Sequence, residues 1–313
     1  MIALLAPGQG SQTPGMLTPW LEPSEGASAA AEQLAAWSQI SGLDLARLGT
    51  TATAEEITDT AVTQPLVVAT TLLAHQELTR RGLLATAEVI VAGHSVGEIA
   101  AYAIAGIISA DDAVKLAATR GAEMAKACND EPTGMAAVLG GDEAEVLSAL
   151  ADLDLVPANR NAAGQIVAAG RVEALAKLAE NPPAKARVRQ LATAGAFHTQ
   201  FMASATDGYS AAAAAVQTTD IFGDAATSRV TLLSNADGRP VSSAADAMTK
   251  LVAQLTKPVR WDLCTQTMRD RQLSAIVEFP PAGTLVGIAK RELRGVPTHA
   301  VKTPADLDGL AAL

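Results

Sequence analysis

A serine flanked by glycines stands in the run Glu88 to Ile104, EVIVAGHSVGEIAAYAI. The run reads as a short apolar strand (Val89 to Ala92), a tight turn (Gly93 to Gly97) and an apolar helix from about Glu98. A G-x-S-x-G turn between strand and helix is a nucleophile elbow. Its sharp turn projects the Ser95 hydroxyl out of the sheet. Gly93 and Gly97 leave out the Cβ atoms that would collide where strand and helix pass. The amide of Val96 opens the helix and faces any oxyanion formed on Ser95, with the helix dipole behind it. An ordinary glycine-rich turn shares the five-residue pattern; the β-branched run before it and the helix after it favour the nucleophile.

A serine needs a base, and the chain has four histidines. His94 adjoins the serine and is expected to point away from its hydroxyl. His75 falls within a helix and His299 in the tail. His198 stands in a loop of small residues at a strand-to-helix junction, and by elimination it is the general base; the alternative is a loop histidine without a role. Arg120 lies in an apolar helix, LAATRGAEM. A lone guanidinium there is costly to bury unless it pairs with an internal carboxylate or awaits an anionic ligand, and the sequence leaves both open. Gln9 sits in the loop PGQGSQ after the first strand, where an open α/β sheet binds ligands. It could offer an N–H to an oxyanion, or the loop could merely connect. The loop has no Lys-Ser/Thr ending and no G-x-G-x-x-G, so nucleotide binding is disfavoured.

These residues need a scaffold, and 313 residues with 49% apolar content can build a sizeable core. Aromatics are 3%, and the heavy use of alanine suggests closely packed helices. No apolar run has the length of a membrane span, and MIALLAPGQG reads as a buried first strand rather than a signal peptide. Cys128 and Cys264 have no metal or redox spacing, and a reducing cytoplasm is inferred. The net charge of −10 argues against nucleic acid as partner.

In chain order, Ile2 to Ala6 is a strand. Residues 13 to 60 hold helical segments around a Pro- and Ser-containing stretch from Pro19 to Ser28. Thr63-Gln64-Pro65 starts a long helix to about Arg81, with Pro65 in the first turn. Ser109 to Asp112 resembles a capping box with Asp in place of Glu. Residues 124–191 then change character. Strands at Met135 to Leu139, Leu155 to Ala158, Gln165 to Ala169 and Ala186 to Leu191 alternate with helices at Glu143 to Ala151 and Val172 to Glu180. The order βαββαβ is the ferredoxin-like signature. A helix follows near Ala203 to Val216, a strand at Val230 to Ser234, a helix near Ala245 to Leu255, a strand at Ala275 to Phe279 and a helix to Arg294. The expected fold class is α/β: a large α/β-hydrolase-like, three-layer subdomain with a mostly parallel sheet (1–123 and 192–313), interrupted by a small ferredoxin-like subdomain (124–191).

Eight motifs in order carry a family resemblance: PGQGSQ (7–12), TQP (63–65), GHSVGE (93–98), TRG (119–121), AFHT (196–199), SNADGRP (234–240), QLTKPVRW (254–261) and EFPPAG (278–283). Together the chain resembles the malonyl-CoA:acyl-carrier-protein transacylases of bacterial fatty acid synthesis, over essentially its whole length. The resemblance implies malonyl transfer from coenzyme A to the phosphopantetheine thiol of a carrier protein through a malonyl-serine. It makes Ser95 the nucleophile, His198 the base, and the amides of Gln9 and Val96 the oxyanion hole. Arg120 becomes the bidentate partner of the malonyl carboxylate, and the backbone carbonyl of Gln254 orients the histidine, giving a Ser-His dyad. Phe197 looks like the malonyl-selecting residue; relatives that take methylmalonyl often have a small polar residue there. EFPPAG departs from relatives that more often carry glycine ahead of the proline, which bears on that loop's shape. The resemblance implies no cofactor and no metal, since the coenzyme A thioester is the substrate. It implies a cytoplasmic, monomeric enzyme with malonyl-CoA and acyl carrier protein as partners, and neither nucleic acid nor membrane.

Three readings compete with it. An acyltransferase of polyketide assembly would run the same chemistry. A serine hydrolase or thioesterase would share elbow and base without needing Arg120. A non-catalytic carrier-binding protein should lack Ser95 or His198. An acidic carrier approaching an acidic chain needs a local basic surface. Lys185, Arg187 and Arg189 alternate along the last strand of the insert and are expected to share one face of an edge strand. Lys290, Arg291 and Arg294 cluster at helical spacing and are the second candidate.

Overall fold

The computed structural model describes residues 1–22, 26–222 and 229–313. Two sheets organise it. The larger has five parallel strands in the order β7-β2-β1-β8-β9. These are β1 (Ile2–Ala6), β2 (Val89–Gly93), β7 (Val230–Leu232), β8 (Ala275–Glu278) and β9 (Thr298–Ala300). The smaller is antiparallel in the order β4-β5-β3-β6, built from β3 (Thr133–Gly140), β4 (Val156–Ala162), β5 (Gln165–Arg171) and β6 (Ala186–Gln190). Helices Glu143–Asp152 and Val172–Glu180 complete its βαββαβ order.

Strands β1 and β2 carry no polar side chain because both faces of the parallel sheet are covered. Ile2, Leu4 and Ala6 enter one core with helices Ala27–Ser41, Thr60–Arg80, Gly97–Ala105 and Ala110–Ala127. Ala3 and Leu5, pointing the other way, pack with Trp261, Met268 and Ile288 of helices Trp261–Asp270 and Thr284–Glu292. The result is a three-layer body. The antiparallel sheet divides likewise. Val138 and Ile166 pack under its own two helices, while Met135, Ala158, Val167 and Ala169 join the core of the main body. Strand β4 is tied to the segment before helix Trp261–Asp270: Val259 N donates to Ala158 O (2.8 Å) and Arg160 N to Val259 O (2.9 Å). Among the described residues no helix is long and apolar enough to cross a membrane.

Several element boundaries differ from the sequence reading. The long helix starts at Thr60, not Thr63, because the Asp59 carboxylate caps it by accepting from Ala61 N (2.8 Å). Pro65 is therefore inside the helix, where the ladder lacks its N–H. Strand β4 runs on to Ala162, past the expected end at Ala158, so Asn161 belongs to the strand. The helix expected near 203–216 begins as a 3-10 segment, Gln200–Ala205, and becomes α-helical over Thr206–Ala214. The stretch expected at 19–28 lies partly outside the described residues, at 23–25.

Candidate active site

The carboxyl ends of β1 and β2 deliver Gln9 and Ser95, while Arg120 comes from helix Ala110–Ala127 and His198 from the loop after β6. Ser95 follows β2 with φ 54°, the left-handed conformation that a non-glycine residue adopts only at a cost of about 1–3 kcal/mol. A Cβ on Gly93 would stand 2.0 Å from Gly97 O, and one on Gly97 2.3 Å from Ala6 O. Glycine is required at both positions because the elbow folds onto itself and onto β1.

Ser95 Oγ lies 2.7 Å from His198 Nε2, and His198 Nδ1 lies 2.7 Å from Gln254 O. A carbonyl can only accept, so Nδ1 carries the proton and Nε2 is free to take that of the serine. His198 is buried, with φ 61°. Burial and the charge of Arg120 lower its pKa to about 3, so the imidazole is neutral at physiological pH.

Arg120 is 1% exposed. Its partners are two side-chain amides: Nη1 donates to Gln64 Oε1 (2.7 Å) and Nη2 to Gln254 Oε1 (2.8 Å). The Nε atom is buried with no partner among the described residues. Of the two environments the sequence left open, internal pairing with a carboxylate is not the one found. The Gln64 amide is itself fixed, since its Nε2 donates to Met124 Sδ (3.4 Å). Gln254 thus serves both functional groups, its main chain holding the histidine and its side chain the arginine.

Gln9 lies in the loop after β1, and its Nε2 donates to Thr60 Oγ1 (3.3 Å). Neither its amide nor that of Val96 donates to another backbone group among the described residues. Both loops border a cavity of about 240 Å³. Ser95, His198, Arg120 and Phe197 line it from the main body; Met135, Ala137 and Val167 line it from the antiparallel sheet. His94 points away from the serine hydroxyl, its Nε2 2.8 Å from Asn161 Oδ1 on β4 and its ring edge-on to Trp261 at 5.5 Å. His75 is stacked edge-on against Phe279 at 5.8 Å, and burial lowers its pKa to about 4.

The structure separates one predicted group. Strand β6 is an edge strand that pairs only with β3, and Arg187 and Arg189 are exposed on it. Opposite them in register stand Leu139 and Ala137, and Ala137 lines the cavity, so both arginines share the cavity-side face of the sheet. Lys185 does not belong to that row. It precedes the strand with φ 59°, and the alternation that would align it is broken there. In the second basic group, Arg291 Nη2 donates to Gln165 Oε1 (2.5 Å) across to β5.

Three residues that the sequence reading left without a role complete the polar cluster. Gln64 holds Arg120. Asn235 Oδ1 accepts from Ser95 N (2.8 Å), and its Nδ2 donates to Gly93 O (2.7 Å). Glu98, fully buried, accepts from Asn235 N (2.7 Å) and from Gln254 Nε2. Burial raises its pKa to about 7, opposed by those hydrogen bonds and the Arg120 charge. Each lay within a quoted motif (TQP, SNADGRP, GHSVGE), and polar residues in otherwise apolar or turn-forming runs were the available signal. A second buried carboxylate, Glu278 at the end of β8, accepts from the amides of Gly283, Leu285 and Val286 at 2.9–3.0 Å. It thereby shapes the EFPPAG loop and starts helix Thr284–Glu292 at the cavity wall.

Comparison with known proteins shows the family. The acyl transferase domain family matches residues 4–305. The malonyl CoA-acyl carrier protein transacylase of Mycobacterium tuberculosis (strain ATCC 25618 / H37Rv) is 73% identical over 313 residues, covering all of both chains. The crystal structure of the MCAT from Mycobacterium tuberculosis superposes with a TM-score of 0.94 at 73% identity over 99% of each chain. A malonyl-transacylase solved in complex with a type II PKS acyl-carrier protein matches with a TM-score of 0.90 at 26% identity, again over 99% of each chain. The chain belongs to the acyl transferase domain family and, within it, to the malonyl CoA-acyl carrier protein transacylases.

Proposed function

We propose that the protein moves a malonyl group from malonyl-CoA to the phosphopantetheine thiol of an acyl carrier protein through an ester on Ser95, supplying the extender unit for fatty acid synthesis. One observation carries this reading: a serine-histidine pair and a buried guanidinium whose Nε has no partner among the described residues share one small cavity. The pair supplies acyl-transfer chemistry, and the guanidinium supplies a reason for the acyl group to carry a carboxylate.

In the proposed sequence, Nε2 of His198 takes the proton of Ser95 as Oγ attacks the thioester carbon. The oxyanion rests on the amides of Gln9 and Val96. Collapse expels the coenzyme A thiolate, which takes the proton back from the imidazolium. The carrier thiol then gives its proton to His198 and attacks the ester, and Ser95 leaves with that proton. Arg120 holds the malonyl carboxylate throughout. Its charge is, after burial, the largest force lowering the basicity of His198, so a bound carboxylate that neutralises it makes the histidine a stronger base. Phe197 borders the acyl end of the cavity and limits what the α-carbon can carry.

The insert (124–191) contributes the outer wall, and Arg187 and Arg189, with Lys185 beside them, form the rim where an acidic carrier docks. The enzyme needs no cofactor and works as a cytoplasmic monomer. A polyketide carrier as acceptor is the second reading, favoured by the likeness to the malonyl-transacylase solved with such a carrier.

The test is incubation with radiolabelled malonyl-CoA, with and without carrier protein. Label that appears on the enzyme and passes to the carrier is expected. Label released only as free malonate would replace transfer by hydrolysis.

A further inference from the structure

Among the described residues Glu98 is the one carboxylate built into the buried polar cluster, and its carboxylate bonds to neither the Ser95 hydroxyl nor the His198 ring. Its two oxygens are divided between two branches. Oε1 accepts from Asn235 N, and the Asn235 side chain holds the elbow at both ends, through Ser95 N and Gly93 O. Oε2 accepts from Gln254 Nε2, and the other end of that amide accepts from Arg120 Nη2. A glutamine amide has nearly the same shape when turned over. With an acceptor-only carboxylate on one side and a donor-only guanidinium on the other, only one orientation avoids opposing like groups at both contacts. An ionised Glu98 therefore dictates that Gln254 offers its oxygen to Arg120.

We propose that Glu98 is a positioning residue of the transfer reaction, which fixes the Ser95 elbow through Asn235 and the Arg120 carboxylate clamp through Gln254. This rests on the transacylase reading given above. The Asn235 branch acts on every acyl group. The Gln254 amide also touches the elbow, its Nε2 donating to Ser95 O and Asn235 Oδ1 at 3.2 Å each, so it bears on every acyl group and, through Arg120, more strongly on those with a carboxylate. A residue that merely stabilised the fold would affect both kinds of acyl group alike.

The experiment is Glu98→Gln, assayed at about pH 8, where a carboxyl with a pKa near 7 is mostly ionised in the wild type. Thermal unfolding is followed alongside kcat and KM for malonyl-CoA and acetyl-CoA. Loss of a hydrogen bond to a charged group corresponds to roughly tenfold or more per branch. Acetyl transfer is expected to fall about tenfold and malonyl transfer about 100-fold, so the malonyl-over-acetyl ratio drops about tenfold. Equal losses for the two substrates, or wild-type rates, would overturn the proposal. If the Gln variant does not fold, Asn235→Ala and Gln254→Ala carry the test. The first should lower both substrates equally; the second, which keeps the main-chain carbonyl on His198 but loses the side-chain contacts to the elbow and to Arg120, should lower malonyl more than acetyl. Indistinguishable effects of the two would overturn it. A wild-type enzyme that never loads malonyl would instead refute the transacylase reading itself.

Discussion

The carboxyl end of the parallel sheet and the cavity-side face of the antiparallel sheet confront each other across about 240 Å³, and they are built by opposite rules. On the parallel side nearly every polar group is buried and cross-linked: Ser95 to His198, His198 to Gln254, Gln254 to Arg120 and Glu98, Glu98 to Asn235, Asn235 back to Ser95. Such a network is rigid, and leaving a member unpaired is costly. On the antiparallel side the wall is apolar at Met135, Ala137 and Val167, and the charges of Arg187 and Arg189 stand at an edge in solvent. The first surface has the rigidity to hold a transition state. The second has the exposure to meet a partner.

Variants can break this contrast, and their expected effects decline from the buried side to the exposed one. Ser95→Ala should abolish the malonyl adduct seen by mass spectrometry of the intact protein; an adduct of normal yield would refute the nucleophile. His198→Ala should slow acylation by about 100-fold or more in single-turnover assays. The histidine also predicts a pH behaviour. Its folded pKa of about 3 lies below the ordinary 6.5, so the imidazole stays neutral and able to accept a proton as pH falls. Its preference for the neutral form stabilises the fold above about 6.5, and that contribution is lost as pH falls through 6.5 toward about 3. Nitrogen NMR of the ring should show it neutral at about pH 5, where an ordinary histidine is mostly charged. Arg120→Ala, which removes a nearby positive charge, should move that titration upward. The smallest effect belongs to the rim. Arg187→Glu with Arg189→Glu should raise the KM for carrier protein roughly threefold to tenfold, leave loading from malonyl-CoA unchanged, and weaken as salt is added. An unchanged KM at low salt would move attention to Lys290, Arg291 and Arg294.

The same contrast explains what could be read from sequence. The elbow was legible because local sterics demand Gly93 and Gly97, and the apolar strand before them announces a covered sheet. The βαββαβ order was legible because alternation and turns are local. The partners of Arg120 were not, because a buried charge signals only that something must compensate it. That Gln64 and Gln254, 190 positions apart in the chain, do so is a property of packing. Glu98 was hidden for the same reason: a carboxylate in the first turn of a helix resembles an ordinary acid complementing the dipole. Lys185 shows the converse error. Alternation was extended one residue beyond the strand, where a left-handed residue breaks it.

The most direct test of the account is the ratio of malonyl to acetyl transfer by Arg120→Ala. The account predicts that malonyl transfer falls by about 2–5 kcal/mol, roughly 30-fold to a few thousand-fold, because a desolvated charge contact is lost. Acetyl, which has no carboxylate to pair, should be little affected or even improved. If both substrates fell by the same factor, the guanidinium would be holding the fold rather than the substrate, and the buried side of the cavity would have lost its claim to select the acyl group.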